Sequence, residues 1–156
     1  MSNSNYPIIL NLSNKNLLFI GGGKVAERKI LLLYKIAKIT IISPRITKPL
    51  EELYKNKEVE INYKTFEDSD LKENYTLVFA CTNKIEVNRK IGMTCKKNRI
   101  FVFVAGDKEL SDFYMPAVFK NEKYLVALST HGNSPTRAKK IRDYIKGILT
   151  NGKFSL

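Results

Sequence analysis

Short apolar runs alternate with amphipathic stretches along most of this chain. Residues 8–10 read as a short entry strand, 13–16 as a turn, and 17–20 as the first strand of a sheet. Residues 24–36 carry apolar side chains at helical spacing. Val25, Leu32 and Ile36 fall on one side with Ile30, Leu33 and Ala37 beside them, a face directed at a sheet. Further strands are predicted at 38–42, 59–63, 76–80 and 100–104, and further helices at 48–56 and 86–97. The run TLVFA at 76–80 is apolar without interruption, as a parallel strand covered on both faces has to be. On the helix after it, Val87, Ile91 and Cys95 fall inward. Strand–helix alternation of this kind implies a parallel sheet with helices on its faces.

After Phe113 the pattern changes. Residues 114–119 and 124–129 read as two strands around the turn Lys120-Asn121-Glu122-Lys123, an antiparallel hairpin. Ser134-Pro135 then opens a last helix, with Ser as N-cap and Pro at the first helical position. Ala138, Ile141, Ile145 and Ile148 form its apolar stripe. A hairpin and one helix have little to bury against, so this arm is expected to dock on the main domain or on a second chain. The predicted organisation is a sheet domain over residues 1–113 and an arm over 114–156.

The most informative stretch is LLFIGGGKVAERK, in which an apolar strand ends in Gly21-Gly22-Gly23 and a helix follows at once. Read as G-x-G-x-x-A on Gly21, Gly23 and Ala26, it is the dinucleotide-binding turn of a Rossmann-type sheet. Gly21 permits the tight turn, Gly23 lets a pyrophosphate approach without meeting a Cβ, and Ala26 keeps the helix close to the sheet. The N–H groups of Gly23, Lys24 and Val25 are expected to face the phosphates, aided by the helix dipole. Ligands of such sheets bind past the carboxyl ends of the strands, which adds Thr82 and Asn83 after the central strand. The second strand ends in Ser43, Pro44, Arg45 and Ile46, expected to border the adenosine. No acid stands there to hold the ribose hydroxyls, which admits NADP through Arg45 as well as NAD.

At 156 residues with 44% apolar composition, the chain suits one domain with a small appendage. No apolar run reaches the ~20 residues of a membrane span, and the N-terminus MSNSNYP lacks the basic and apolar regions of a secretory signal. The two cysteines, Cys81 and Cys95, have no C-x-x-C spacing and suit free buried thiols in a reducing cytoplasm. The net charge of +12 raises the question of an acidic partner. Its bases are scattered, without a recognition motif, which makes nucleic acid the weaker candidate; a small polyanionic ligand would use the same charge, so charge alone does not choose. His131 is the only histidine, so metal sites built on paired histidines are excluded and no metal is assigned.

Several segments together resemble the precorrin-2 dehydrogenases of sirohaem synthesis, including the N-terminal module of multifunctional sirohaem synthases. They are YPIILNL, GGGKVAERK, ITIISP, DLKENYTLVFACTN with EVN, ELSDFYMPA, and LVALSTHGNSP followed by AKKIRDYI. The resemblance implies NAD-dependent oxidation of the tetrapyrrole precorrin-2 to sirohydrochlorin. It also implies a homodimer formed through the arm, and a family helical domain absent from this chain, which ends where that domain would begin. Some relatives insert iron, and some act in the cobalamin branch. The family's loop after the last Rossmann strand carries an aspartate as catalytic base. The ungapped match puts Gly106 there with Asp107 next to it, so Asp107 is the candidate catalytic residue. Ser129, Thr130 and His131 fall on the STxGxSP element that the family places near the tetrapyrrole, and are the candidate substrate residues. A non-catalytic nucleotide-sensing module is the alternative that Gly106 keeps open.

Overall fold

The computed structural model describes residues 5–71 and 74–150; Lys72 and Glu73 of the DLKENYT stretch, and residues 151–156 at the end of the predicted arm, lie outside the described residues. The chain divides into two compact units, Leu10–Phe113 and a second made of Met1–Ile9 with Tyr114–Leu156. Among the described residues no helix is long and apolar enough to cross a membrane.

The first unit contains five strands: β1 (Asn16–Gly22), β2 (Lys38–Ile46), β3 (Glu60–Asn62), β4 (Tyr75–Ala80) and β5 (Phe101–Val104). All neighbours pair in parallel, in the order β3-β2-β1-β4-β5. Helices α1 (Lys24–Leu33), α2 (Lys48–Lys55) and α3 (Ile85–Lys97) connect them. This is the expected Rossmann-type α/β sheet. The chain moves outward from β1 to β3 and then returns to place β4 on the other side of β1. The carboxyl ends of β1 and β4 therefore flank a topological switch point, where a crevice opens.

The two faces of the sheet are filled differently. Leu18, Ile20, Val78, Ala80, Val102 and Val104 meet Ile91 and Cys95 of α3 in an aliphatic layer. The alternate positions face the other way and include Phe19, Phe79 and Phe103 beside Leu17 and Leu77. Phe19 stacks on Phe79 with centroids 4.2 Å apart, and Phe113 meets Phe79 edge-on at 5.3 Å. On this face α1 buries Ala26, Lys29, Ile30 and Leu33.

That stripe corrects the predicted helix face. Val25, Leu32 and Ile36 are 40%, 62% and 48% exposed, and the helix ends at Leu33, before Ile36. Lys29 causes the difference. Its ammonium sits 3.8 Å from the centroid of Phe103, and the buried stem supplies the apolar contact at that position. The predicted entry strand at 8–10 is also absent: Ile8 and Ile9 are 70% and 80% exposed and in no ladder. Three apolar residues with no partner strand have nothing to offset their chain entropy. Both β1 and β2 run further than predicted, because Gly22 pairs with Ile46 and Thr47 N–H donates to Gly22 O at 3.1 Å. Pro44 is tolerated there because β3 pairs with β2 only over residues 40–42.

In the second unit, β6 (Ala117–Lys120) and β7 (Leu125–Leu128) form the predicted antiparallel hairpin, and α4 (Pro135–Thr150) follows. The hairpin turn is closed by Asn121, whose Oδ1 accepts from the N–H groups of Lys123 and Tyr124. The N-terminus of α4 is capped as expected: Ser134 Oγ accepts from Arg137 N–H at 3.2 Å.

Candidate functional site

The three glycines have three different environments. Gly21 has φ +107°, a left-handed conformation that favours glycine, and a Cβ on it would lie 2.5 Å from the carbonyl oxygen of Cys81. A Cβ on Gly22 would lie 2.7 Å from the carbonyl oxygen of Arg45. These two glycines let β1 press against the ends of β4 and β2. Gly23 differs: nothing lies within 4 Å of where its Cβ would stand. It is the N-cap of α1 and makes no side-chain cap, so the first amides of the helix open onto free space. A pyrophosphate fits such a cradle, being held by N–H groups and the helix dipole. Lys24 and Val25, the first two helical residues, are exposed at this mouth. Lys24 reaches back to Glu27 at 3.1 Å. The nearby Thr47 hydroxyl and then the bonded Lys24 ammonium hold the Glu27 carboxyl below its ordinary range.

On the β2 side Ser43 is buried, and its Oγ donates to Arg45 O at 2.6 Å. The hydroxyl is thus committed to its own strand end. Pro44 and Arg45 are exposed and Ile46 half-buried, at the edge of the crevice. On the β4 side Thr82 is turned inward. Its N–H and hydroxyl donate to Asn88 Oδ1 at 2.9 and 2.7 Å, and its carbonyl accepts from Asn88 Nδ2 at 3.0 Å. Asn83 stands exposed beside it. Cys81 is buried, and burial pushes its thiol up to about 12, so it is no nucleophile.

Sequence reasoning missed Asn88. It is 2% exposed on α3, and besides Thr82 it donates to Ala105 O at 3.3 Å, tying the ends of β4 and β5 together. The only signal was a polar residue on the inward stripe, one position from Val87. The loop after β5 carries Gly106, with φ +85°, and Asp107. Asp107 Oδ1 accepts from Leu110 N–H at 3.1 Å and Oδ2 from Arg89 Nε at 2.7 Å. The Leu110 amide and then the Arg89 guanidinium hold its carboxyl below the ordinary aspartate range. The left-handed backbone at Gly106 strains any side chain placed there.

The substrate candidates form one tight turn of the second unit. His131 N–H donates to Ser129 Oγ at 3.1 Å, while Thr130 Oγ1 accepts from Ser134 N–H and donates to Ser134 O, both at 3.0 Å. His131 has φ +54° and is exposed. The hydroxyls of Ser129 and Thr130 thus shape the turn that presents His131.

A parallel sheet with a glycine cradle at its switch point defines a dinucleotide-binding α/β protein. The family model described as putative NAD(P)-binding matches residues 8–117, and the chain belongs to that family. It is similar to siroheme synthase of Xylella fastidiosa (strain M12), 34% identical over 149 residues, which are 95% of this chain and 31% of that protein. It is also similar to siroheme synthase 3 of Aeromonas hydrophila, 35% identical over 144 residues, 92% of this chain and 31% of that one. The chain therefore spans about a third of the length of these curated relatives. Among solved structures it resembles SirC, a precorrin-2 dehydrogenase, with a TM-score of 0.78 and 26% identity, covering 92% of this chain and 70% of that one.

Proposed function

We propose that this chain is a precorrin-2 dehydrogenase that oxidises precorrin-2 to sirohydrochlorin with NAD, acting as a homodimer in the cytoplasm. The observation that carries the cofactor half is the open Cβ position at Gly23 beside uncapped helix amides. The likeness to siroheme synthases and to SirC supports the substrate. The excess of 12 positive charges suits a polycarboxylate ligand. Two buried free thiols suit a reducing compartment.

When bound, NAD supplies the hydride acceptor. The chain's own residues do the rest. The amides of Gly23, Lys24 and Val25 hold the pyrophosphate, Arg45 and Ile46 border the adenosine, and Asn83 lies toward the nicotinamide. Asp107 takes the proton released from the tetrapyrrole. Its lowered pKa keeps it ionised at neutral pH, ready to accept, but also makes it a weak base. Ser129, Thr130 and His131 contact the substrate. The engagement of Asp107 by Arg89 and the glycine at 106 favour one alternative, a nucleotide-sensing module without catalysis.

Gly23→Asp is the decisive variant, because the fold has room for its side chain while a bound pyrophosphate does not. Calorimetry should find NAD binding abolished with the melting temperature retained; unchanged affinity would remove the site. Running NAD and NADP in parallel tests whether Arg45 admits a 2′-phosphate. Asp107→Asn separates enzyme from sensor. An acceptor there is expected to be worth about 10²–10⁴-fold in turnover, read as anaerobic sirohydrochlorin formation at unchanged NAD affinity. No turnover by the wild type, with NAD still bound, would favour the sensor.

A further inference from the structure

Two neighbouring side chains on α3 reach both loops of the crevice. Asn88 uses its whole amide: Oδ1 accepts twice from Thr82, and Nδ2 donates to Thr82 O and Ala105 O. Arg89, the next residue, donates to Asp107 Oδ2 at 2.7 Å. The loop after β4 is thus fixed to the first turns of α3, and the loop after β5 is fixed to the same turns at two points. Asn88 is the only buried asparagine among the described residues, and its amide lies inside an otherwise apolar helix face. Burying an amide there is unfavourable unless every one of its hydrogen bonds is made. Packing alone would be better served by an aliphatic residue, as at Ile91 one turn on.

We infer that Asn88 and Arg89 are positioning residues: they fix the loop bearing Asn83 against the loop bearing Asp107, so that the hydride-accepting and proton-accepting ends of the site stay in register. The inference rests on the crevice taking NAD. It also reassigns Thr82. With its amide, hydroxyl and carbonyl all directed at Asn88, Thr82 acts through the loop's shape, and direct cofactor contact falls to Asn83.

The two residues carry different loads, which gives the test its readout. Asn88 holds both loops, so Asn88→Ala should weaken NADH binding at least tenfold and lower kcat as well. Arg89 holds only the Asp107 loop, so Arg89→Met should leave NADH affinity within twofold and lower kcat alone. Cys95→Ala, on the same buried face of α3 but bonded to neither loop, is the control for stability. It should lower the melting temperature without moving NADH affinity. Binding is measured by NADH fluorescence at a temperature where circular dichroism shows every variant folded. Asn88→Ala binding NADH as the wild type does, or losing no more than Cys95→Ala, would overturn the inference. A wild type that binds NADH but does not oxidise precorrin-2 would overturn the dehydrogenase reading alone, since the affinity comparison still decides the role of Asn88. A wild type that binds no NADH would overturn both.

Discussion

The two units of this chain differ in how much apolar surface they bury for themselves. In the sheet unit, Phe19, Phe79, Leu18, Ile30 and Ile91 are wholly enclosed, and both faces of β1 and β4 are covered. In the other unit only Phe119 and Ala138 are buried among the described residues. Leu125, Ile141 and Tyr144 remain 46%, 38% and 72% exposed. The sheet unit reads as a complete structure on which a site can be mounted with little motion. The arm reads as a surface awaiting an apolar neighbour, which the proposed second copy would supply. Hydrophobic burial scales with the area removed from water, so the same kind of substitution should have unequal effects in the two places.

The largest effect tests that inequality directly. Ile91→Ala removes a fully enclosed side chain and should cost about 2–5 kcal/mol of unfolding free energy, measured by urea denaturation. Ile141→Ala should cost less than about 1 kcal/mol in dilute protein, because its side chain is already partly in water. Equal losses at concentrations where the chain is monomeric would break the comparison. The next effect appears only on association. Ile141→Asp should weaken the homodimer by more than about 1 kcal/mol, because it removes an apolar contact and puts an unpaired carboxylate in its place, and leave NAD affinity unchanged. Light scattering at micromolar concentration reads the mass. A wild type that is monomeric throughout would end the proposal that a second copy covers the arm.

A smaller effect concerns pH and the sheet unit's loops. The folded Asp107 carboxyl titrates below its ordinary value, held by Leu110 N–H and Arg89. Its contribution to stability is therefore fully present above about pH 4, the unfolded value, and is lost as pH falls through the folded one. Thermal melts from pH 5 to pH 2 should show a shallower acid decline in Asp107→Asn than in the wild type. An identical decline would mean that the ionised Asp107 carboxylate, bonded to Leu110 N–H and Arg89, contributes nothing to the loop's stability.

Much of the sheet unit could be read from the chain because its signals are local and repeated. The turn at Gly21 to Gly23 and the uninterrupted TLVFA strand each carry their own physical reason, as does the Ser134-Pro135 helix start in the other unit. What escaped was non-local. Gly22 gave no sign that it abuts Arg45, because that contact arises only when β2 is laid beside β1. Asn88 stood on the inward stripe of α3, but its partners Thr82 and Ala105 come beside it only when α3 is packed against two loops. Residues 8–10 have the composition of a strand, but composition does not supply a partner. For the candidate site, the glycine spacing pointed to the carboxyl ends of β1 and β4, while the commitment of Thr82, Ser43 and Asp107 to bonds within the protein arises only in the folded chain.

Lys29 gives the smallest effect and the clearest case of one residue misleading a pattern. It lies 7% exposed against Phe103, with no carboxylate in ion-pairing reach among the described residues. Burial lowers its pKa, and the nearby Arg28 charge acts in the same direction. The attraction of an ammonium for a ring face is worth about 0.5–2 kcal/mol, and against it stands the desolvation that lowers the pKa. Below the folded pKa both states carry the proton and the full cost of burying the charge is present. As pH rises from the folded value toward the unfolded ~10.4, the unfolded chain binds more protons and stability increases. Lys29→Met keeps the stem's length and removes the charge. It should raise the melting temperature at pH 7 by about 2–4 °C, equivalent to about 1 kcal/mol in a chain of this size, and abolish the alkaline gain. A lower melting temperature in Lys29→Met would show that the contact with Phe103 outweighs the burial of the charge, and that the aromatic face of the sheet is stabilised by the cation it encloses.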